Sequence, residues 1–151
     1  HLSDRRQRQM CIRDSIGTVS EDLKPFHADL LGIRTDKSSS LVTCFLNKKL
    51  AKNFLPYIKN DCRLSLFVGV ISHEAYNLKG TFQNFKDITD DDKEFCENFR
   101  ENIYSLYDTM GIPKELASKY WGHEIDLAMD FAVDTIFVQT PGPDAGNKLS
   151  I

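Results

Sequence analysis

The chain has 151 residues, 41% hydrophobic and 27% charged, a length and balance that suit one globular domain rather than a disordered or repeat protein. Its formal charge is −3; residues 1–15 hold four Arg against two Asp, so the rest of the chain sums to −5, and a mildly acidic body argues against a nucleic-acid partner. No apolar run approaches the length of about 18 residues that a membrane-spanning helix requires, so none is expected.

Residues 1–15 show almost no apolar periodicity. They lack the apolar stretch of a signal peptide, and Asp4 and Asp14 count against a transit peptide. The segment resembles translated sequencing-adapter read-through and is treated as a non-native or disordered tail ahead of one domain over residues 16–149. Residues 16–22 read as a strand remnant and 23–25 complete a polar turn. Residues 26–34 alternate imperfectly around Gly32, which marks a bulge or a close backbone approach. After a hydroxyl-rich turn, 41–46 is a short apolar strand, so three strands in an antiparallel meander are expected. Leu50, Phe54, Leu55 and Ile58 recur at helical spacing and predict a helix over 47–60, with Pro56 as a kink or break. Residues 62–71 form a nearly continuous apolar run, as in a central strand, and 76–85 pair back on it.

Thr89 followed by Asp90, Asp91 and Asp92 reads as an N-cap with acids in the first turn of a helix, not as a metal site. Phe95, Phe99, Ile103 and Leu106 make its core stripe, and Gly111 stops it. Pro113 opens a second helix over 114–121. Residues 129–138 end in a last strand, and 140–147, with two Pro and two Gly, form a loop or arm. Cys11, Cys44, Cys62 and Cys96 match neither a C-x-x-C nor a zinc pattern and read as free thiols in a reducing, cytoplasmic setting. Five or six mostly antiparallel strands with helices inserted at two places suggest a small barrel.

Neither a glycine-rich phosphate loop nor HExxH nor GxSxG occurs. His27, His73 and His123 are far apart, and no metal is expected. The richest chemistry lies in residues 68–82, where Ser72, His73, Tyr76, Asn77 and Lys79 sit between two β-type runs. On strand geometry Asn77, Lys79 and Thr81 share one face, and Tyr76, Leu78 and Gly80 the other, so that one face packs and the other binds.

The stretch Ser72-His-Glu-Ala-Tyr-Asn-Leu-Lys-Gly80 resembles the Thr-His-x-x-x-Gln-Leu-Lys-Gly motif of FMN-binding split β-barrels, the pyridoxamine 5′-phosphate oxidase-like group. Three more features follow in family order: Ile16-Gly17-Thr18-Val19 with Lys24-Pro25, Asn60-Asp-Cys-Arg-Leu-Ser-Leu66 before a central strand, and Gln139-Thr-Pro-Gly-Pro-Asp-Ala-Gly146. The resemblance covers residues 16–149. It implies a mainly β split barrel of about six strands that lacks the N-terminal helix of its relatives, as in a truncated reading frame. It also implies a homodimer with FMN in a cleft between subunits.

Carried over onto this chain, the family pattern makes Lys79, Asn77, His73, Ser72 and Tyr76 candidate cofactor residues, with His27 on the strand that lines the flavin and Lys52 near the phosphate. The second strand lacks the basic ligands of true pyridoxamine phosphate oxidases, and Asp29 there would repel phosphate, so pyridoxal phosphate synthesis is not expected. What the resemblance implies is an FMN-dependent oxidoreductase of an unidentified small molecule. The alternative is a non-catalytic flavin or haem binder for storage or sensing, and F420 is a further possible cofactor. FMN chemistry needs no protein nucleophile, which agrees with the lack of any triad.

Overall fold

The computed structural model describes residues 14–36, 38–69 and 74–149. Seven strands and two helices follow in chain order: β1 (Ser15–Val19), β2 (Pro25–Asp29), β3 (Gly32–Thr35), β4 (Leu41–Leu46), β5 (Arg63–Gly69), β6 (Ala75–Lys86), α1 (Asp90–Thr109), α2 (Lys114–Trp121) and β7 (Leu127–Val138). They form one sheet in the order β2-β1-β5-β6-β7-β4-β3, with every neighbouring pair antiparallel. β2 and β3 follow each other in the chain yet stand at opposite edges. The buried pair Leu30-Leu31 joins them: Leu30 N–H donates to Asp14 O at 3.0 Å beside β1, and Leu31 N–H to Phe45 O at 2.9 Å on β4. This short link draws the two edges together and curls the sheet into a half-barrel.

The expected meander is therefore corrected. Residues 26–34 are two strands, not one, and they pair with β1 and β4 rather than with each other. Gly32 does mark a close approach: a Cβ there would stand 3.0 Å from the Cys96 sulfur and 3.3 Å from the Phe45 ring. The helix expected over 47–60 is replaced by turns and a 3-10 turn at Leu55–Tyr57. Pro56 cannot donate to an α-helical ladder, and the Asn47 side chain caps the segment locally by accepting from Leu50 N–H at 3.1 Å. The apolar spacing serves a different purpose there, since Ala51 and Phe54 are buried in the barrel core.

The core row is legible in the register. Ala28, Ile16, Leu66, Leu78 and Ile136 are successive cross-strand partners from β2 to β7, all apolar, and they face the barrel interior. The first turns of α1 pack on the opposite face of the sheet, where Cys96 meets Phe45 and Ala128. This helix begins with a full capping box: the Thr89 side chain accepts from Asp92 N–H at 3.1 Å, and the Asp92 carboxylate accepts from Thr89 N–H at 3.0 Å. The Arg34 guanidinium donates to that carboxylate at 2.6 Å and lies over the rings of Phe45 and Phe95, at 5.2 and 5.3 Å. One residue of β3 thus fastens the start of α1 to the sheet. Near it, buried Asp130 accepts from Thr43 at 2.6 Å and pairs with Lys86 at 2.8 Å, so its charge has partners.

Candidate functional site

Strand alternation divides the chemistry of β5, β6 and β7 between two faces. Directly behind the apolar core row lies a polar one: His27, Gly17, Ser65, Lys79 and Thr135 are cross-strand partners from β2 to β7. Beside it runs a second outer row of Asp29, Ser15, Phe67, Asn77 and Phe137. The predicted division of 76–81 between faces is observed, and Asn77 and Lys79 stand together on the outer face.

Sequence reasoning missed four further members of this face. Ser65 donates its hydroxyl to Asn77 Oδ1 at 2.7 Å, which turns the amide N–H groups of Asn77 outward. Half-buried Phe67 and Phe137 flank Asn77 from the neighbouring strands. The Lys79 ammonium lies 5.3 Å from the Phe137 ring centroid, within cation–π range. Lys148 is the fourth. Val138 N–H donates to Asn147 O at 2.8 Å and Leu149 N–H to Ile136 O at 2.8 Å, so the tail returns along β7 and Lys148 bridges to Phe137. Two lysines, Lys79 through its ammonium and Lys148 through its backbone bridge, therefore neighbour half-buried Phe137. The tail turns through Gly142 and Gly146, with φ of 150° and 89°, and nothing in the local sequence announces where it lands.

A third cation on this face is already engaged. Arg63 makes a two-pronged contact with Asp134, including one bond of 3.0 Å, and donates to Thr81 at 3.0 Å. The Arg63 bond, helped by Thr135, holds the Asp134 carboxyl down to about 2. Among the described residues of these strands and the tail, Lys79 and Lys148 are the further cations of this face, and Lys148 also helps hold the Asp134 carboxyl down.

The remaining predicted residues scatter. His27 shares the Lys79 row but lies three strand spacings away, about 14 Å across the sheet. Asp29 is as far from Asn77, on the adjoining row, and so does not crowd the two lysines. Lys52 is exposed on the turn segment between β4 and β5, away from both rows. Ser72 and His73 lie outside the described residues. His123 is a packing residue, its Nε2 3.2 Å from Lys119 O and its carbonyl accepting from Arg100.

Tyr76 points the other way, into a cavity of about 570 Å³ between the inner sheet face and the helices. Leu66, Val68, Leu78 and Ile136 line it from the strands, and Phe99, Tyr107 and Trp121 from α1 and α2. Among the described residues that line it, Asp14 is the one charged side chain. Burial pushes the Asp14 carboxyl up to about 6, against a smaller opposing bond from the Gly69 backbone.

Buried thiols do not act here: burial raises Cys44 strongly and lifts Cys96 to about 11, so neither is a thiolate near neutrality. Among the described residues no group of three or more His, Cys, Asp or Glu is placed to hold a metal, and no helix is long and apolar enough to cross a membrane.

No family model and no curated protein matches the chain. Solved structures do. An FMN-binding protein from Syntrophomonas wolfei subsp. wolfei is similar over 84% of this chain and 76% of its own, with 8% identity and a TM-score of 0.50. A pyridoxamine 5′-phosphate oxidase-related, FMN binding protein from Nostoc punctiforme PCC 73102 covers 95% and 84%, with 8% identity and a TM-score of 0.43. HutZ, the heme storage protein from Vibrio cholerae, covers 90% and 92%, with 10% identity and a TM-score of 0.38. The likeness is one of fold alone: the described residues form a seven-stranded split β-barrel, where about six strands were expected.

Proposed function

We propose that the outer face of β5, β6 and β7 binds a phosphorylated flavin, FMN, and that the protein is a flavin-dependent oxidoreductase acting on a small molecule. The observation that carries this reading is the pair of lysines next to Phe137: the Lys79 ammonium over its ring, and Lys148 bridged to it through the backbone. A phosphate needs cationic donors, and Lys79 and Lys148 supply them. A flavin ring needs apolar surface and hydrogen bonds at its pyrimidine edge. Phe67 and Phe137 offer the first, and the outward amide of Asn77 the second. The residues present fit the group.

When bound, FMN supplies the hydride chemistry. The chain's own residues bind, orient and exclude water, and no side chain is asked to form a covalent bond. Half-buried rings on an otherwise polar face also suit a second copy of the chain, so the cofactor would lie in a cleft between two subunits. That arrangement is part of the proposal and is read out by sedimentation.

The test is an absorption spectrum of the purified protein, then FMN titration of the wild type, Lys79→Ala and Lys148→Ala. We expect each variant to weaken FMN about tenfold, the worth of one charge-assisted bond of about 1.4 kcal/mol, with a smaller loss for riboflavin, which lacks the phosphate. Absence of flavin bands together with no binding at high micromolar FMN would sink the proposal. Bound FMN that no nicotinamide donor reduces would favour a flavin store or sensor over an oxidoreductase.

A further inference from the structure

The cavity behind Tyr76 does not belong to the flavin face. Tyr76 and Leu78 turn into it, whereas Asn77 and Lys79 turn out, so the sheet itself stands between the two places. Its volume of about 570 Å³ falls within the range of small-molecule sites. Walls built from Leu66, Leu78, Ile136 and Phe99 give water few partners, and an apolar space of this size takes up apolar ligands in preference to water.

We propose that this cavity is a second binding site, for an uncharged aromatic molecule that carries an oxygen acceptor. Three observations select that class. Aromatic rings from Tyr76, Phe99, Tyr107 and Trp121 meet the space from both the sheet and the helices, which favours a flat ring over a bare chain. The Tyr107 hydroxyl accepts from Trp121 Nε1 at 3.3 Å, so its own proton is the donor that remains for a ligand oxygen. Among the described lining residues there is no cation to receive an anion, and the carboxyl of Asp14 at the rim repels one. A molecule held there does not touch the flavin face. It is cargo or an effector, not the substrate of the outer site.

Trp121 is the one tryptophan in the chain and lines the cavity, so its fluorescence reports occupancy directly. The probe is 2-acetylnaphthalene, an uncharged aromatic ketone. Its titration should quench Trp121 saturably, and saturating FMN should leave the probe bound. Naphthalene, without the acceptor, should bind about fivefold weaker, consistent with one hydrogen bond of about 1 kcal/mol. The anion 2-naphthoate should bind at least about tenfold weaker than the ketone, through desolvation of its charge. Tyr107→Phe keeps the ring and should abolish the preference for ketone over naphthalene. Ile136→Phe fills the space and should cost at least about tenfold in affinity for both. No saturable quenching up to about 200 μM, a Kd well above which specific recognition of a drug-sized ligand is weak, overturns the proposal. So does equal affinity for naphthoate, or binding that neither variant alters.

Discussion

Replacing Gly80 with alanine probes a close backbone approach between β6 and β7. Gly80 carries no positive φ, so its conformation is open to any residue and the argument is steric alone. An added Cβ would stand 2.0 Å from the carbonyl oxygen of Ala132, 2.7 Å from its carbon and 2.9 Å from Val133 Cα. These are backbone atoms of β7, held in the ladder that joins it to β6. Overpacking costs about 1–3 kcal/mol where side chains give way. Here the ladder must part, by about 1 Å or more, to restore ordinary contact distances near 3.5 Å. We therefore expect a loss of at least about 3 kcal/mol, which for a domain of this size lowers Tm by about 6–12 °C. Thermal unfolding followed by Trp121 fluorescence and by far-UV circular dichroism measures it. A fall in Tm of less than about 2 °C would show that β6 and β7 do not approach as described, and would remove the basis for placing Lys79.

Two further outcomes follow from buried charge. Arg34→Met keeps an apolar stem between Phe45 and Phe95 but removes the partner of Asp92, whose side chain is 8% exposed. Burial opposes the charge on Asp92, while the Thr89 backbone and Arg34 outweigh it and hold the carboxyl low. Because the Arg34 side chain is itself partly exposed, we expect a loss of about 2 kcal/mol in urea unfolding; a change below about 0.5 kcal/mol refutes the role of the contact. Asp14 works in the opposite sense. Its carboxyl is raised from 3.8 to about 6 by burial, so the stability it contributes is full below pH 4 and is lost as pH rises through 6. Asp14→Asn should lie within about 0.5 kcal/mol of the wild type at pH 4 and exceed it at pH 7.5 by about 3 kcal/mol. Parallel stability curves for the two proteins between pH 4 and 7.5 would contradict this.

Much of the barrel is legible in particular residues. The alternation through 76–81 predicts which side chains share a face, because a strand has a period of two and a buried face must be apolar. Thr89 with Asp92 announces the start of α1, and Pro113 that of α2, because caps act within one turn. What eludes local reading depends on contacts distant in sequence. The apolar spacing over 47–60 is that of a helix, yet Ala51 and Phe54 face the core from turns, and Pro56 counts for more than periodicity. The break at Leu30-Leu31 depends on Phe45 of β4 and on Asp14 beside β1. Lys148 is found only once the tail has folded back onto β7. That Trp121 walls a cavity emerges only when α1 and α2 are set against the sheet.

The register shift at Gly80 connects these points. Lys79 pairs with Thr135 and Gly80 with Val133, so Asp134 is the residue of β7 left over between them. That extra residue is the one that engages Arg63. Without the shift, residues 135–138 would turn over: Ile136 would leave the cavity for the outer face, and Phe137 would leave Lys79 for the core. The shift therefore fixes at once which face carries the cations and which carries the apolar space. It requires a residue without a side chain at position 80, where an added Cβ would meet the backbone of β7. The lysine of the Leu-Lys-Gly sequence supplies charge to the outer face, but the glycine beside it determines that Phe137 is there to meet it.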